Sequence, residues 1–275
     1  MKITINNLSF EIEPSNNHEL WNYIASGKWE IDTFSAIDSY LPQGGIAIDI
    51  GSWAGPISLY MAFRAKRVIS IDPDPVIFNQ LLHNVNLNDN LKDRIDCKNL
   101  ALTHKPGHFT LTARKSFGDS ASSLLRRVRD EKDTSIVQGI TLKQLMKNEK
   151  LNRLDFIKID IEGGEFSLIP EIIEDLAAYD HPTLFVSFHV NFLIESIYFK
   201  FFRIKLFCLI VMKIETILGI NLLRGLINKA IKKALIPLRM YSYVYLNGTL
   251  VSLEDYIDHP KMVGNNNFIF TNRKY

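Results

Sequence analysis

The run Ala47-Ile48-Asp49-Ile50-Gly51-Ser52-Trp53-Ala54-Gly55-Pro56 constrains the fold more than any other stretch of this sequence. It reads as a short apolar strand, a carboxylate near the strand's end, a glycine turn and a helix start. Pro56 suits the first helical position, where its missing N–H leaves no bond unmade. Such a turn lets a ligand approach the backbone closely. The carboxylate narrows the choice of ligand. A dinucleotide would set its pyrophosphate on this turn, beside the helix N-terminus, and Asp49 would repel it. An ammonium or sulfonium cation would be attracted instead, and the aminoacyl end of S-adenosylmethionine carries both.

Around this run, strand-type and helix-type segments alternate through most of the chain, which predicts a parallel sheet with helices on both faces. The strands expected are Ile46–Ile50, Arg67–Ile71, one within Ile95–Leu102, Asp155–Ile161 and Thr183–Phe188. An additional strand is expected over His108–Ala113, and residues 114–135 read as a charged, serine-rich loop near the site. Asp74 should cap a helix with Pro75 in its first turn, and Thr141 another. Asn247-Gly248 marks a hairpin turn between Tyr241–Leu246 and Thr249–Leu253. Asn267–Thr271 reads as a last strand. Residues 1–42 read as an N-terminal cap with a short strand pair and one or two helices. The whole of residues 1–275 is expected to form one domain.

Composition bounds the function. A 47% hydrophobic content supplies a core, and a formal charge of +2 implies no global attraction to nucleic acid. Cys97 and Cys208 make neither a disulfide framework nor a metal-ligand pattern. The N-terminal residues lack a secretory signal. A cytoplasmic protein is therefore expected.

In the segment Asp155–Ile161, Ile157, Ile159 and Ile161 share one face, while Lys158, Asp160 and Glu162 share the other. Ionisable side chains in such a row are costly if merely buried. They make sense leading into a polar cleft at the strand's carboxyl end, where open α/β sheets bind ligands. Asp72, at the end of the second strand, stands where an acid accepts hydrogen bonds from ribose hydroxyls.

Three motifs carry a family resemblance: Asp49-Ile50-Gly51-Ser52-Trp53-Ala54-Gly55, Ile71-Asp72-Pro73-Asp74-Pro75 and Lys158-Ile159-Asp160-Ile161-Glu162-Gly163-Gly164-Glu165. With Asn99-Leu100-Ala101-Leu102 between them, the chain resembles the FkbM-type methyltransferases over roughly residues 28–190. The resemblance implies a Rossmann-like class I methyltransferase sheet, S-adenosylmethionine as cofactor, and methyl transfer to an oxygen of a sugar, glycan or natural product. It implies that Asp49, Gly51, Ser52 and Gly55 hold the methionine part, Asp72 the ribose, and the backbone around Ala101 the adenine. Asp72 departs from the glutamate more usual in the family, one methylene shorter with the same hydrogen-bonding capacity.

A sulfonium methyl is already activated, so catalysis needs alignment and a base to unmask the acceptor oxygen. Asp160, Glu162 and His189 are the candidates. A salt bridge to Lys158 and a helix cap would account for the two acids structurally, and His189 could be a satisfied polar residue at a strand end. No metal is expected: a divalent ion could bridge Asp160 and Glu162, but no further ligands are visible. Glu165 suits a helix N-terminus.

Residues 190–240 combine many Phe, Ile and Leu with nine Lys or Arg and only Glu195 and Glu215. They predict a helical insertion before the C-terminal β-hairpin. Its apolar runs fall short of the ~20 residues of a membrane span. Two readings stay open: a basic amphipathic surface lying on an anionic membrane, or a helical subdomain packed on the sheet or on a second subunit. Two alternative functions also stand beside methyl transfer. One is a nicotinamide-dependent oxidoreductase, disfavoured by Asp49 and by the absence of a G-x-G-x-x-G spacing. The other is a non-catalytic cofactor-binding module, disfavoured by Asp160 and Glu162. No nucleic-acid partner is expected, because no tetrapeptide for a flipped base is present.

Overall fold

The computed structural model describes residues 1–14, 18–130, 133–258 and 265–274. Residues 15–17 of the predicted cap and 131–132 of the predicted loop lie outside these. The chain opens with a hairpin of β1 (Lys2–Ile5) and β2 (Leu8–Glu11), followed by α1 (His18–Ala25) and α2 (Ile31–Tyr40). Then come β3 (Ile46–Ile50), α3 (Pro56–Ala62), β4 (Arg67–Ile71), α4 (Pro75–Asn86) and β5 (Ile95–Lys98). A separate small sheet holds β6 (Ala101–Leu102), β7 (Gly107–Thr112) and β8 (Thr134–Ile140). After α5 (Leu142–Asn148) the chain returns to the main sheet with β9 (Phe156–Ile159), α6 (Glu165–Ala177) and β10 (Thr183–His189). Helices α7 (Val190–Phe202), α8 (Lys205–Leu218) and α9 (Arg224–Leu235) precede β11 (Tyr243–Leu246), β12 (Thr249–Leu250), α10 (Leu253–Asp258) and β13 (Asn265–Thr271).

The main sheet has eight strands in the order β12-β11-β13-β10-β9-β3-β4-β5. Its five strands from β10 to β5 are mutually parallel, and β13 runs antiparallel to β10. The chain travels outward from β3 to β5, then crosses back to β9 on the other side of β3. That reversal makes a topological switch point, where open sheets bind ligands beyond their strand carboxyl ends.

Side-chain alternation distributes the strands between two cores. Ile48, Ile50, Ile157 and Ile159 pack with Leu142 and Leu145 of α5 and with Ile169 and Ile172 of α6. Ala47, Val68 and Phe156 face the other way, onto Phe34 and Ile37 of α2, Leu59 of α3 and Leu81 of α4. The N-terminal hairpin and Trp21 of α1 join this second core, so the predicted cap closes one face of the sheet. Local signals set the boundaries. Asp74 accepts from the N–H groups of Val76 and Ile77, and Thr141 with Gln144 forms a capping box. Asn247 and Gly248 both have positive φ, at 48° and 78°, as the two-residue hairpin turn requires.

Strand β8 is absent from the sequence expectations. It is an exposed ribbon whose pairing with β7 supplies what its composition does not signal. It helps bring the 114–130 segment over the sheet edge. That segment is tied down by charge: Arg114 makes two hydrogen bonds, of 2.7 and 2.9 Å, to Glu195 of α7, and Arg127 is fully buried against Asp130 at 2.8 Å. Burial opposes ionisation of Glu195, but Arg114 and Arg129 outweigh it and hold its pKa below the usual carboxylate value. A depressed folded-state pKa contributes stability above the unfolded value, and that stability is lost as pH falls through the folded value. Glu195→Gln is therefore expected to lower stability at neutral pH by about 3 kcal/mol. The difference should shrink as the pH drops below about 4, read by urea unfolding at both pH values.

Candidate active site

A cavity of about 270 Å³ opens at the carboxyl ends of β3, β4 and β9. Gly51 forms its floor. A Cβ built on Gly51, whose φ is +78°, would lie 1.9 Å from the Asp160 carbonyl oxygen. Only glycine lets the loops after β3 and β9 approach so closely at the switch point. Asp72 lines one wall, where it accepts from the N–H of Trp53 at 3.0 Å and of Asp74 at 2.9 Å. Burial raises its pKa to about 7. Asn99 donates to the Asp72 carbonyl and fixes the strand end. Beyond it, Leu100, Ala101, Leu102, Phe109 and Leu111 make an apolar slot closed by Pro73. Residues 119–125 of the predicted loop form the roof.

Asp160 and Glu162 line the far end of the same cavity. Beneath them Lys158 is buried, its Nζ 3.2 Å from Asp160 and 3.6 Å from Asp49, with the Gly51 carbonyl at 3.4 Å. Burial disfavours the ammonium, yet Asp160, Asp49 and Glu30 outweigh that and raise its pKa. In return, Lys158 and His189 overcome the burial of Asp160 and hold its carboxyl below the usual range. Glu162 lies beyond the lysine: burial pushes it up to about 8 in spite of His189 nearby.

His189 stands behind the two acids. Its Nε2 is 3.6 Å from both Asp160 and Glu162, and its Nδ1 is 3.2 Å from the fully buried Glu165. Burial works against the imidazolium, but Glu165 and the two acids carry its pKa up to about 10. Glu165 opens α6 and turns its carboxylate back to accept from the N–H groups of Ile161 and Gly163, so it shapes the loop as well as holding the ring. Donor atoms of Asp160, Glu162 and His189 lie within 4.8 Å of one another, a spacing one divalent cation could span. Two ligands are visible together in the sequence; the fold brings up the third.

The structure divides the predicted site residues. Gly51, Asp72, Ala101, Asp160 and Glu162 line the cavity, and His189 supports two of them from behind. Asp49, Ser52 and Gly55, expected to hold the methionine part, are not among its lining residues. Asp49 points under the sheet toward α3, where Ser58 Oγ donates to it at 2.6 Å and Lys158 balances its charge. The N–H groups of Gly51 and Ser52 both donate to the Ile71 carbonyl and shape the turn. Gly55 makes room for α4, since a Cβ there would meet Leu81 at 2.6 Å. Ser52 Oγ and Trp53 Nε1 are buried in this loop without hydrogen-bond partners among the described residues.

Two participants were missed. Glu30, just before α2, accepts from Thr33 Oγ1 and is coupled by charge to Asp160, Lys158 and His189; burial raises its pKa. Arg127 donates to the Glu162 carbonyl at 3.4 Å and lies 4.6 Å from the Phe192 ring centre. No local pattern marks either. Glu30 lies in an unremarkable stretch of the cap, and Arg127 in a charged loop that reads as solvated.

A parallel sheet with an acid-lined cleft at its switch point defines an open α/β fold with a ligand site at its strand ends. Residues 48–214, well over half of the chain, match the methyltransferase FkbM domain, and the chain belongs to that family. It is similar to methyltransferase sdnD of Sordaria araneosa, 26% identical over 163 residues that cover 49% of this chain and 63% of that relative. The chain thus spans less than two thirds of that curated relative's length. Among solved structures, an FkbM methyltransferase from Methylobacillus flagellatus is 14% identical with a TM-score of 0.38, covering 61% of this chain and 42% of that one. A TehB-like S-adenosylmethionine-dependent methyltransferase from Corynebacterium glutamicum is 10% identical with a TM-score of 0.43, covering 94% and 97%. At such scores the fold rests on the strand order itself.

Lys158→Met would leave Asp49 and Asp160 buried without their counter-charge. A loss of about 3–5 kcal/mol is expected in urea unfolding. Adding Asp49→Asn should restore much of it.

Proposed function

We propose that this protein transfers a methyl group from S-adenosylmethionine to a hydroxyl oxygen of a small acceptor such as a sugar, glycan or natural product. One observation carries the choice of cofactor. Asp72, Asp74, Asp119, Asp160 and Glu162 all line the cavity, and no lysine or arginine does so among the described residues. This excess of acids disfavours a pyrophosphate there, whereas a sulfonium and an ammonium suit it. Asp49 is not one of these lining acids and has Lys158 as its counter-charge.

The residues fit the proposed cofactor in parts. Asp72 keeps lone pairs for a ribose diol beside the two N–H groups that already hold it. The slot around Ala101 suits a purine, and Gly51 admits close backbone approach. S-adenosylmethionine, when bound, supplies a methyl group already activated on sulfur. The chain then has to align the acceptor and take its proton.

Glu162 fits the role of general base. It faces the cavity, and its raised pKa brings proton affinity near neutrality, where a carboxylate base works best. Asp160, kept ionised by Lys158, would accept a hydrogen bond from the acceptor hydroxyl and orient it. His189 positions both acids and is itself aimed by Glu165.

Calorimetry with S-adenosylhomocysteine is expected to show binding weakened about 10–100-fold in Asp72→Asn. Thermal stabilisation by NAD and not by S-adenosylhomocysteine would overturn the proposal. Glu162→Gln should bind S-adenosylhomocysteine normally and lose about 10²–10⁴-fold in kcat. The acceptor for that assay can be found by incubating the protein with labelled cofactor and candidate glycans.

A further inference from the structure

We infer that the α7–α9 segment is a docking surface for the anionic face of a lipid bilayer, with α8 lying in the interface. The observation is a mismatch between burial and composition. Helix α8 is apolar around most of its circumference, yet only Cys208 and Glu215 of its fourteen residues are buried. Its inner side is anchored: Cys208 Sγ reaches the Tyr198 carbonyl, Tyr198 donates its hydroxyl proton to Glu215, and Glu215 also accepts from the Leu222 N–H. Its outer side carries Leu206, Phe207, Ile210, Ile214, Ile217 and Leu218, which are 46–73% exposed. At about 100° per residue these six positions fall within a single arc of about 120°.

The residues flanking α8 in the chain add further exposed apolar side chains. Phe201 and Ile204 precede α8, and Ile220, Leu222 and Leu226 follow it, all exposed. More than half of the exposed large apolar side chains among the described residues fall within residues 201–226. Isolated exposed apolar residues need no explanation, but six on one arc of a helix, with more in the flanking chain, mark a binding surface.

Charge selects the occupant. Lys200, Arg203, Lys213, Arg224 and Lys229 are exposed along the segment. Its two acids, Glu195 and Glu215, are buried and bound internally. The segment therefore presents apolar side chains interleaved with cations and shows no anion of its own to solvent. An interfacial helix has this pattern: apolar groups enter the headgroup boundary while Lys and Arg meet lipid phosphates. A second copy laid face to face would bring like charges together around the apolar contact. No described helix is long and apolar enough to cross a membrane, in keeping with a surface location for α8. The helix is held against α7, so its outer arc is presented without prior rearrangement.

The inference does not depend on the methyl-transfer reading, and its test reads vesicle binding alone. The full chain is floated with vesicles of phosphatidylcholine alone or of phosphatidylcholine with phosphatidylglycerol. Binding to the anionic vesicles is expected, weakening with salt and much lower on neutral vesicles. Lys213→Glu with Arg224→Glu should reduce affinity at least about tenfold. Leu206→Ser with Ile210→Ser and Ile217→Ser should abolish flotation while leaving the melting temperature unchanged, because all three side chains are exposed. The inference fails if the intact chain does not float with anionic vesicles, or if the apolar triple variant floats as well as the parent. It also fails, in favour of self-association, if the parent sediments as a dimer that the triple variant dissolves while neither floats.

Discussion

Burying Lys158 at the end of β9 obliges the sheet to surround it with oxygen. Asp49 lies directly opposite on β3, Asp160 two residues further along, and the Gly51 carbonyl between the two loops. The pairs satisfy one another only as a set. Lys158 keeps Asp160 ionised at the cavity, and Asp49 keeps Lys158 charged. The strand register, the glycine turn and the polarity of the site therefore rest on the same buried ion group. Gly51 completes the constraint: with any Cβ there, the two loops could not meet, and the acids could not share a cavity with the Asp72 wall.

Around that centre the site is enclosed by elements distant in sequence. The N-terminal cap contributes Glu30 and stacks Trp21 on Trp53 with ring centres 5.0 Å apart. The segment over the top is held by Arg127 and by the Arg114–Glu195 pair, and Arg114 and Arg127 both sit against the Phe192 ring of α7. Helix α7 starts at the residue after His189, so one helix carries the support for the acids at one end and leads toward the exposed apolar surface at the other. The insertion is thus both a packed subdomain, through α9 against α6, and an open surface, through α8.

Much was legible from local pattern. Strands β3 and β4 have the bounds expected, the Asp74 and Thr141 caps form, and Asn247-Gly248 turns a hairpin, because each depends on residues adjacent in the chain. The alternation set Lys158 apart from Ile157 and Ile159 and placed Asp160 beside it, but β9 ends at Ile159, short of the expected Ile161, and Glu162 reaches the cavity from the following turn at a φ of +56°. Strand β8 escaped notice because its exposed ribbon has little apolar periodicity, and its stability comes from pairing with β7.

The sequence by itself determined the parallel sheet, the glycine turn, the acids at the strand ends and the basic apolar character of residues 190–240, because these follow from residue type and short spacing. Only the tertiary structure decided which acid does what. Asp49 and Asp160 look equivalent in the chain, yet one is turned beneath the sheet to neutralise Lys158 and the other faces the cavity. His189 became a support and Glu30 a neighbour of the site through packing between segments far apart in sequence. The reason is electrostatic: what a buried charge can do depends on its partners in space, and those are assembled only when the chain folds.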